Sequence, residues 1–452
     1  METALFTDQA GRDLYWEVFI NSELGQLWQA IPFDKLSLLF PQSSGLGAPG
    51  FFDIKGGIAL QVLKAYFNGM SDDKLRQRIN TDWALQYFCG IRLKPGETIK
   101  DKDIVGRWRR WLAKHTSYEA FQALLAKHWL PFIEQKAVGT ADATVYESHL
   151  RYPTDVKLLW ECIDWLWSFI DEHRSNFGLE RIRRKQPEVY KAYRSYQKLK
   201  RKPRKRTRSI RRRLLKLLDK GLRCWTDLIA DHRIILLEKQ YRRIENIRVV
   251  YQQQHLRFHD SEAKITDRIV SLFKDYIRPI IRGKEIKKTE FGAKVHILMV
   301  DGISFVEYFS FDAFHEGIRL LDAFELQQEY FGVCKAFGAD GIYATNANRR
   351  YCATHNIITN FAPKGPKPAK TKVNQQKIRI RKTLGKIRAT YLEGSFGNEK
   401  LHYGLARIKA GRPDTEKLWI HFGIWTASAM KIAKRMAKDK KHKTPPNVPL
   451  AA

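Results

Sequence analysis

Cysteine is sparse and unpatterned. Cys89, Cys162, Cys224, Cys334 and Cys352 are scattered with no Cys-x2-Cys pair. That excludes a disulfide framework and a cysteine-rich zinc site, and it reads as reduced core thiols of a cytosolic protein. No uninterrupted apolar run is long enough to span a bilayer, because "LLWECIDWLWSFI" is broken by Glu161 and Asp164. The opening "METALFTDQAGRDLYW" carries acids where a secretion signal needs basic and then apolar residues. A soluble, cytoplasmic protein without a membrane partner is therefore expected. His149, His355 and His402 have no partner at ligand or triad spacing, and no internal repeat is present.

Acid is the other shortage. Against 81 Lys+Arg stand only 48 Asp+Glu, a formal charge of +33 on 452 residues. A field of that sign attracts polyanions, nucleic acid first among them, with ribosome-like packing and membrane-surface binding as the blander outcomes. At 44% hydrophobic residues the chain is too apolar to be wholly disordered, and its length suits two or three domains.

Residues 1–135 read as a helical amino-terminal domain. Ile58, Leu60, Leu63 and Phe67 lie near helical spacing, and Ser71 starts a second helix, a weak helix-turn-helix pattern. In "DIVGRWRRWLAKH", Trp108 and Trp111 suit a core better than a phosphate backbone. At 137–148 the character changes to a strand with Asp142 near its middle. A helix then starts at Thr154 or Asp155, opening a helical insertion over 155–275. The insertion holds the densest basic tract, "KLKRKPRKRTRSIRRRLLKLL", which Pro203 divides. Arg204, Lys205, Arg206, Arg211, Arg212 and Arg213 on that tract are candidate DNA contacts, a solvated charge run being the alternative.

From 290 the hydrophobic period becomes two. "AKVHILMVDGISFVEYFSFD" is two strands joined by the hairpin dipeptide Asp301-Gly302. A helix, a short strand into "FGADGIY", a helix near 346–355 and a strand in "NIITNFAP" follow. "PKGPKPAKTK" is a loop, and a basic lead-in delivers the chain to "YLEGSFGNEK". The order predicts an α/β, RNase H-like catalytic domain at 136–154 and 276–437. Its mixed sheet is flanked by helices, and a flexible tail follows at 438–452. In such a domain acids sit on the first strand, at the end of the fourth strand and on a late helix, where Asp142, Asp340 and Glu393 fall. Three carboxylates from distant sequence can hold two Mg²⁺ ions. Each acid also has a local reading: Asp142 a turn cap, Asp340 a turn residue before Gly341, Glu393 a helix-start acid favoured by the dipole. Asp301 is explained by its hairpin and Asp155 by helix capping. Glu393, Phe396 and Lys400 share one helical face.

These residues resemble bacterial insertion-sequence transposases of the DDE kind. "ALQVLKAYFNGMSDDKLRQRINTDWALQYFCGI" is similar to their amino-terminal domain, and "RPIIRGKEIKKTEFGAKVHILMVDGISFVEYFSFDAFHEG" to the region before the second acid. "ADATVYESHLRYPTDVKLLWE", "GADGIYATNANRRYCATHNI" and "YLEGSFGNEKLHYGLARIKAG" resemble the three acid blocks, matching Asp142, Asp340 and Glu393. Glu393 and Lys400 keep the Glu-x6-Lys half of the family's last motif. The motif's arginine position falls on Ala389, with Arg388 one residue earlier, and Gly341 stands where a basic residue often follows the second acid. The resemblance implies a DNA-binding amino-terminal domain and an enzyme that binds the inverted repeats at its element's ends, cutting and joining DNA with two Mg²⁺, or Mn²⁺ in their place. It also implies a homodimer on double-stranded element ends and target DNA, close to the nucleoid. Lys400 and Arg388 would then be DNA contacts. A transposase-derived DNA-binding protein without activity, and a structural RNA-binding protein, are the rival expectations.

Overall fold

This computed structural model describes residues 9–42, 50–281, 289–365 and 371–443. Among the described residues eight helices come first: α1 (Gln9–Asn21), α2 (Glu23–Gln29), α3 (Phe33–Ser37), α4 (Ile54–Tyr66), α5 (Asp72–Thr81), α6 (Trp83–Phe88), α7 (Ile104–His115) and α8 (Tyr118–Trp129). Strand β1 (Val138–Glu147) precedes α9 (Asp155–Asn176), α10 (Gln186–Gln197), α11 (Arg204–Asp231) and α12 (Glu238–His259). Then come β2 (Pro279–Ile281), β3 (Thr289–Val300), β4 (Ile303–Ser310), α13 (Leu320–Phe331), β5 (Ala336–Gly338), α14 (Asn346–Thr354) and β6 (Ile358–Thr359). The last described elements are α15 (Lys372–Ile387), α16 (Glu393–His402) and α17 (Pro413–Lys443).

Many of these helices begin where a short polar side chain can satisfy an orphan backbone donor. Ser22, Asp53, Ser71, Asp82, Ser117, Thr154, Thr345 and Thr371 each accept a first-turn N–H. Pro203 immediately precedes α11, so the basic tract divides there as its proline requires. The β3–β4 hairpin turns on Asp301 and Gly302, whose φ of 51° and 77° are the left-handed pair that a two-residue turn needs. Asp301 is otherwise structural: its carboxylate accepts the Glu134 N–H at 2.9 Å and pairs with Arg435 at 2.8 Å.

The chain divides into two compact units. The first comprises residues 1–148, 293–310 and 314–452. Its strands lie in the order β4-β3-β1-β5-β6. β3 and β4 are antiparallel, while β1, β5 and β6 run parallel, so the sheet is mixed and the class is α/β. The helices before residue 135 do not form a unit of their own. Leu27, Leu60 and Leu112 share one core with Leu298 and Phe305 of the sheet and Phe422 of α17. Phe121 stacks on Trp425 at 4.5 Å, and Gln122 donates to the Val306 carbonyl at 3.0 Å. Residues 1–148 fall in one unit, and α4 is enclosed in it, apolar on nearly all sides with Ile58, Leu60 and Leu63 fully buried. Trp108 and Trp111 pack against the same core.

The second unit, residues 149–292 with 311–313, has a separate core. The apolar stretch of α9 forms its centre: Leu159, Ile163, Leu166 and Trp167 meet Leu214, Leu218 and Trp225 of α11. Thr154 is the α9 cap, and Asp155 instead pairs with Arg268 at 2.7 Å and Arg257 at 3.5 Å. Burial alone would raise the Asp155 carboxyl, but these arginines outweigh it and hold it below the ordinary range.

Of the tail expected at 438–452, residues 438–443 belong to α17. No proline interrupts the helix-forming residues there, and 444–452 lie outside the described residues. The loop expected at 363–372 lies partly outside them too. Among the described residues no helix is long and apolar enough to cross a membrane.

Candidate active site

Asp142 stands in the middle of β1. Side chains alternate along a strand, so Thr140, Asp142, Thr144 and Tyr146 share one face while Ala141, Ala143 and Val145 take the other. β5 lies parallel to β1 with Thr140 opposite Gly338. Continuing that register by two residues sets Asp340 beside Asp142. Asn360, just after β6, prolongs the pairing: its side chain accepts the Ala339 N–H at 3.0 Å and donates to the Ala339 carbonyl at 2.9 Å. Asp340 then caps a single 3-10 turn, Gly341–Tyr343, by accepting the Gly341 N–H at 2.6 Å.

Glu393 is not at a helix start. α15 runs into a π-helical turn, Arg388–Leu392, which runs directly into α16. The Glu393 N–H donates to the Arg388 carbonyl, five residues back. No free N-terminus stands there, so the dipole that would favour an acid does not act on Glu393. The turn also has a geometric consequence. A π turn absorbs one extra residue, so a residue five back stacks below Glu393 as a residue four back does in an α-helix. Leu384 of α15 and Leu392, the last residue of the turn, are both buried.

Through this turn Arg388 reaches all three acids. Its Nη1 lies 3.0 Å from Asp142 Oδ2 and 3.2 Å from Glu393 Oε1, and its Nη2 lies 3.8 Å from Asp340 Oδ1. The sequence-predicted triad thus converges on one guanidinium. Asp142 and Arg388 are largely enclosed, with side chains 15% and 16% exposed, whereas Asp340 and Glu393 are open at 59% and 54%. Burial pushes the Asp142 carboxyl above its ordinary value, against the pull of Arg388.

Lys400 does not project freely from its helix. Its ammonium donates to Thr144 at 2.9 Å, two residues along β1 from Asp142, and lies 5.5 Å from the Tyr146 ring. Phe396 is buried, as the shared face with Glu393 and Lys400 predicts. Next to Lys400, Glu399 is fully enclosed, bonded to the Tyr146 hydroxyl, to Ser395 at 2.9 Å and to Ser304 at 3.2 Å. Burial raises its carboxyl, opposed by the Tyr146 bond and by Lys431. Arg388–Asp142, Lys400–Thr144 and Glu399–Tyr146 therefore clamp one face of β1 to the helix that carries Glu393. The sequence gives no hint of Glu399, one glutamate in a polar run.

Oxygen donors of this kind suit a hard divalent cation. Three carboxylates around one guanidinium leave two negative charges uncompensated, so donor type and charge both fit. Arg388 occupies the centre of the cluster, and among the described residues no three His, Cys, Asp or Glu side chains stand close enough to hold one ion.

The basic tract belongs to the second unit. Arg204, Lys205, Arg206, Arg212 and Arg213 are exposed on α11, and Arg208, which the sequence reading passed over, is exposed with them. Arg211 departs from expectation. It turns inward, donates to the Gln254 carbonyl at 3.4 Å and lies near Asp155. Helical phase explains this, since Arg211 follows buried Ile210 and precedes buried Leu214 by three residues.

Compared with known proteins, the chain matches no family model, no curated protein and no solved structure.

Proposed function

We propose that this protein is a DDE-type DNA transposase with an RNase H-like catalytic domain, which cuts and rejoins DNA at the ends of its own mobile element. One observation carries the reading: Asp142 of the first strand, Asp340 after the fourth strand of the first unit's sheet, and Glu393 of a late helix meet at Arg388. The π turn adds support. It gives Arg388 the helical place of a residue four before Glu393, which is where the family's last motif carries its arginine.

In this reading Asp142, Asp340 and Glu393 would hold two Mg²⁺ ions, for which Mn²⁺ could substitute. When bound, such ions would supply Lewis-acid activation for phosphodiester displacement. Water attacks first, and the freed 3′-hydroxyl then attacks target DNA. Asp142, on a rigid central strand, sets the position of the cluster. Lys400, braced by Thr144, keeps a positive charge beside β1 for the phosphodiester. The exposed cations of α11 bind duplex backbone, and two copies of the chain hold the two element ends.

The test uses the DNA that flanks the gene. Wild-type protein with Mg²⁺ should break that DNA at short inverted repeats, leaving 3′-hydroxyl ends, and EDTA should abolish the breaks. Binding without any breakage would sink the enzymatic reading. It would favour a transposase-derived DNA-binding protein, a second reading suggested by the guanidinium already seated among the acids.

Arg388 and a divalent cation compete for the same oxygens. An ion-assisted hydrogen bond is worth about 1.5–3 kcal/mol, and about 1.4 kcal/mol is tenfold in affinity. Arg388→Met is thus expected to tighten Mn²⁺ binding by roughly tenfold or more in a calorimetric titration. Unchanged or weaker binding would show that the two do not compete.

A further inference from the structure

Asp340 is the least supported of the three acids in its own neighbourhood. It is well exposed, it follows a three-residue strand, and no atom lies within 4 Å of where a Cβ on Gly341 would stand. Its turn nonetheless ends in a fixed point. Tyr343 is fully buried, and its hydroxyl lies 2.7 Å from His296 Nε2 on β3. His296, also fully buried, has Nδ1 2.6 Å from Glu307 Oε2 on β4. Glu307 in turn accepts from Arg319, whose Nε lies 3.3 Å from Oε2 and whose Nη2 bonds to Oε1. In a neutral imidazole, Nδ1–H donates to the carboxylate, which leaves the Nε2 lone pair to accept the Tyr343 hydroxyl. Asn348 holds the backbone of the same residue, donating to the Tyr343 carbonyl at 2.8 Å and to the Gly317 carbonyl at 2.7 Å.

We propose that the Tyr343–His296–Glu307–Arg319 chain is a positioning device that fixes the turn bearing Asp340, so that this open carboxylate holds its place in the cation-binding cluster. The inference rests on the proposed function and assigns these four residues no contact with substrate. A buried polar chain through an apolar sheet is a costly way to gain stability, since well-packed apolar residues commonly do as well. What such a chain supplies is a single geometry. Partners one step behind a metal ligand typically set affinity within a factor of about 10–100.

Tyr343→Phe removes the hydroxyl and almost no volume. In the full-length protein, hydrogen–deuterium exchange over residues 339–345 is expected to speed up by about tenfold, with the rest of the first unit unchanged. The Mn²⁺ dissociation constant, read by electron paramagnetic resonance, should rise by about tenfold or more. If Tyr343→Phe does not fold, Glu307→Gln keeps the size and the acceptor for Nδ1 but loses the Arg319 ion pair, and should shift both readouts the same way by less. Unchanged exchange in the folded variant overturns the proposal. So does a loosened turn with wild-type Mn²⁺ affinity, because the turn would then not position the acid. A wild-type protein that binds no Mn²⁺ overturns the two-ion reading itself, and the positioning role with it, while a wild type that binds Mn²⁺ leaves that reading standing whatever Tyr343→Phe does.

Discussion

Asp142→Asn is expected to lower Mg²⁺-dependent strand cleavage by on the order of a thousandfold, the upper range for loss of one preorganised charge-stabilising group. Asparagine keeps the shape and removes only the charge. The effect should be largest here because Asp142 is the enclosed member of the cluster, fixed on a central strand, with Ala141 and Ala143 buried behind it. DNA binding and thermal unfolding should change little. Asp301→Asn is the control: its carboxylate serves the Glu134 N–H and Arg435, so cleavage should stay within a few-fold of wild type. Quantifying nicked plasmid against time for both variants decides the matter. An Asp142→Asn protein that keeps a tenth of the wild-type rate would remove the triad from the chemistry.

Neutralising the exposed cations of α11 is expected to weaken duplex binding by about a thousandfold at low salt, with little effect on the rate of bound DNA. Each phosphate contact contributes roughly 0.9 to the slope of log affinity against log salt. Lys205 with Arg212, and Arg206 with Arg213, lie seven residues apart and so pair on common faces, with Arg204 one turn before exposed Arg208. Replacing Arg204, Lys205, Arg206, Arg212 and Arg213 by glutamine should therefore reduce the slope by about three to five. Arg211 is left intact, because it is bonded to Gln254 inside the unit and its loss would confuse binding with folding. Fluorescence anisotropy from about 50 to 200 mM salt reads the slope directly. An unchanged slope would make the tract a solvated charge run.

Much of the fold was legible because its signals are local. Thr154 and Ser71 cap helices through their own side chains, Asp301-Gly302 can take the left-handed φ values of a tight hairpin, and Pro203 cannot continue a helix. Asp142 in an apolar strand announces itself, since an acid there needs a partner. His296 carried a weaker signal that went unread. Lys294 and His296 alternate with Val295 and Ile297, a polar file inside a strand that otherwise reads as core.

What remained hidden depends on where distant segments meet. The residues around Arg388 carry no mark of a π turn. Whether the extra residue is absorbed there depends on Leu384 and Leu392 both being buried while Arg388 meets Asp142, a contact that crosses 246 positions of chain. The fusion of the first eight helices with the sheet is of the same kind, because an apolar helix such as α4 does not specify which neighbours enclose it. Sequence by itself marked the elements, the charge and three candidate acids, since caps, turns and hydrophobic period act within a few residues. Only the tertiary structure decided that Arg388 holds those acids together and that Arg211 turns inward, because helical phase and ion pairing are resolved where elements pack.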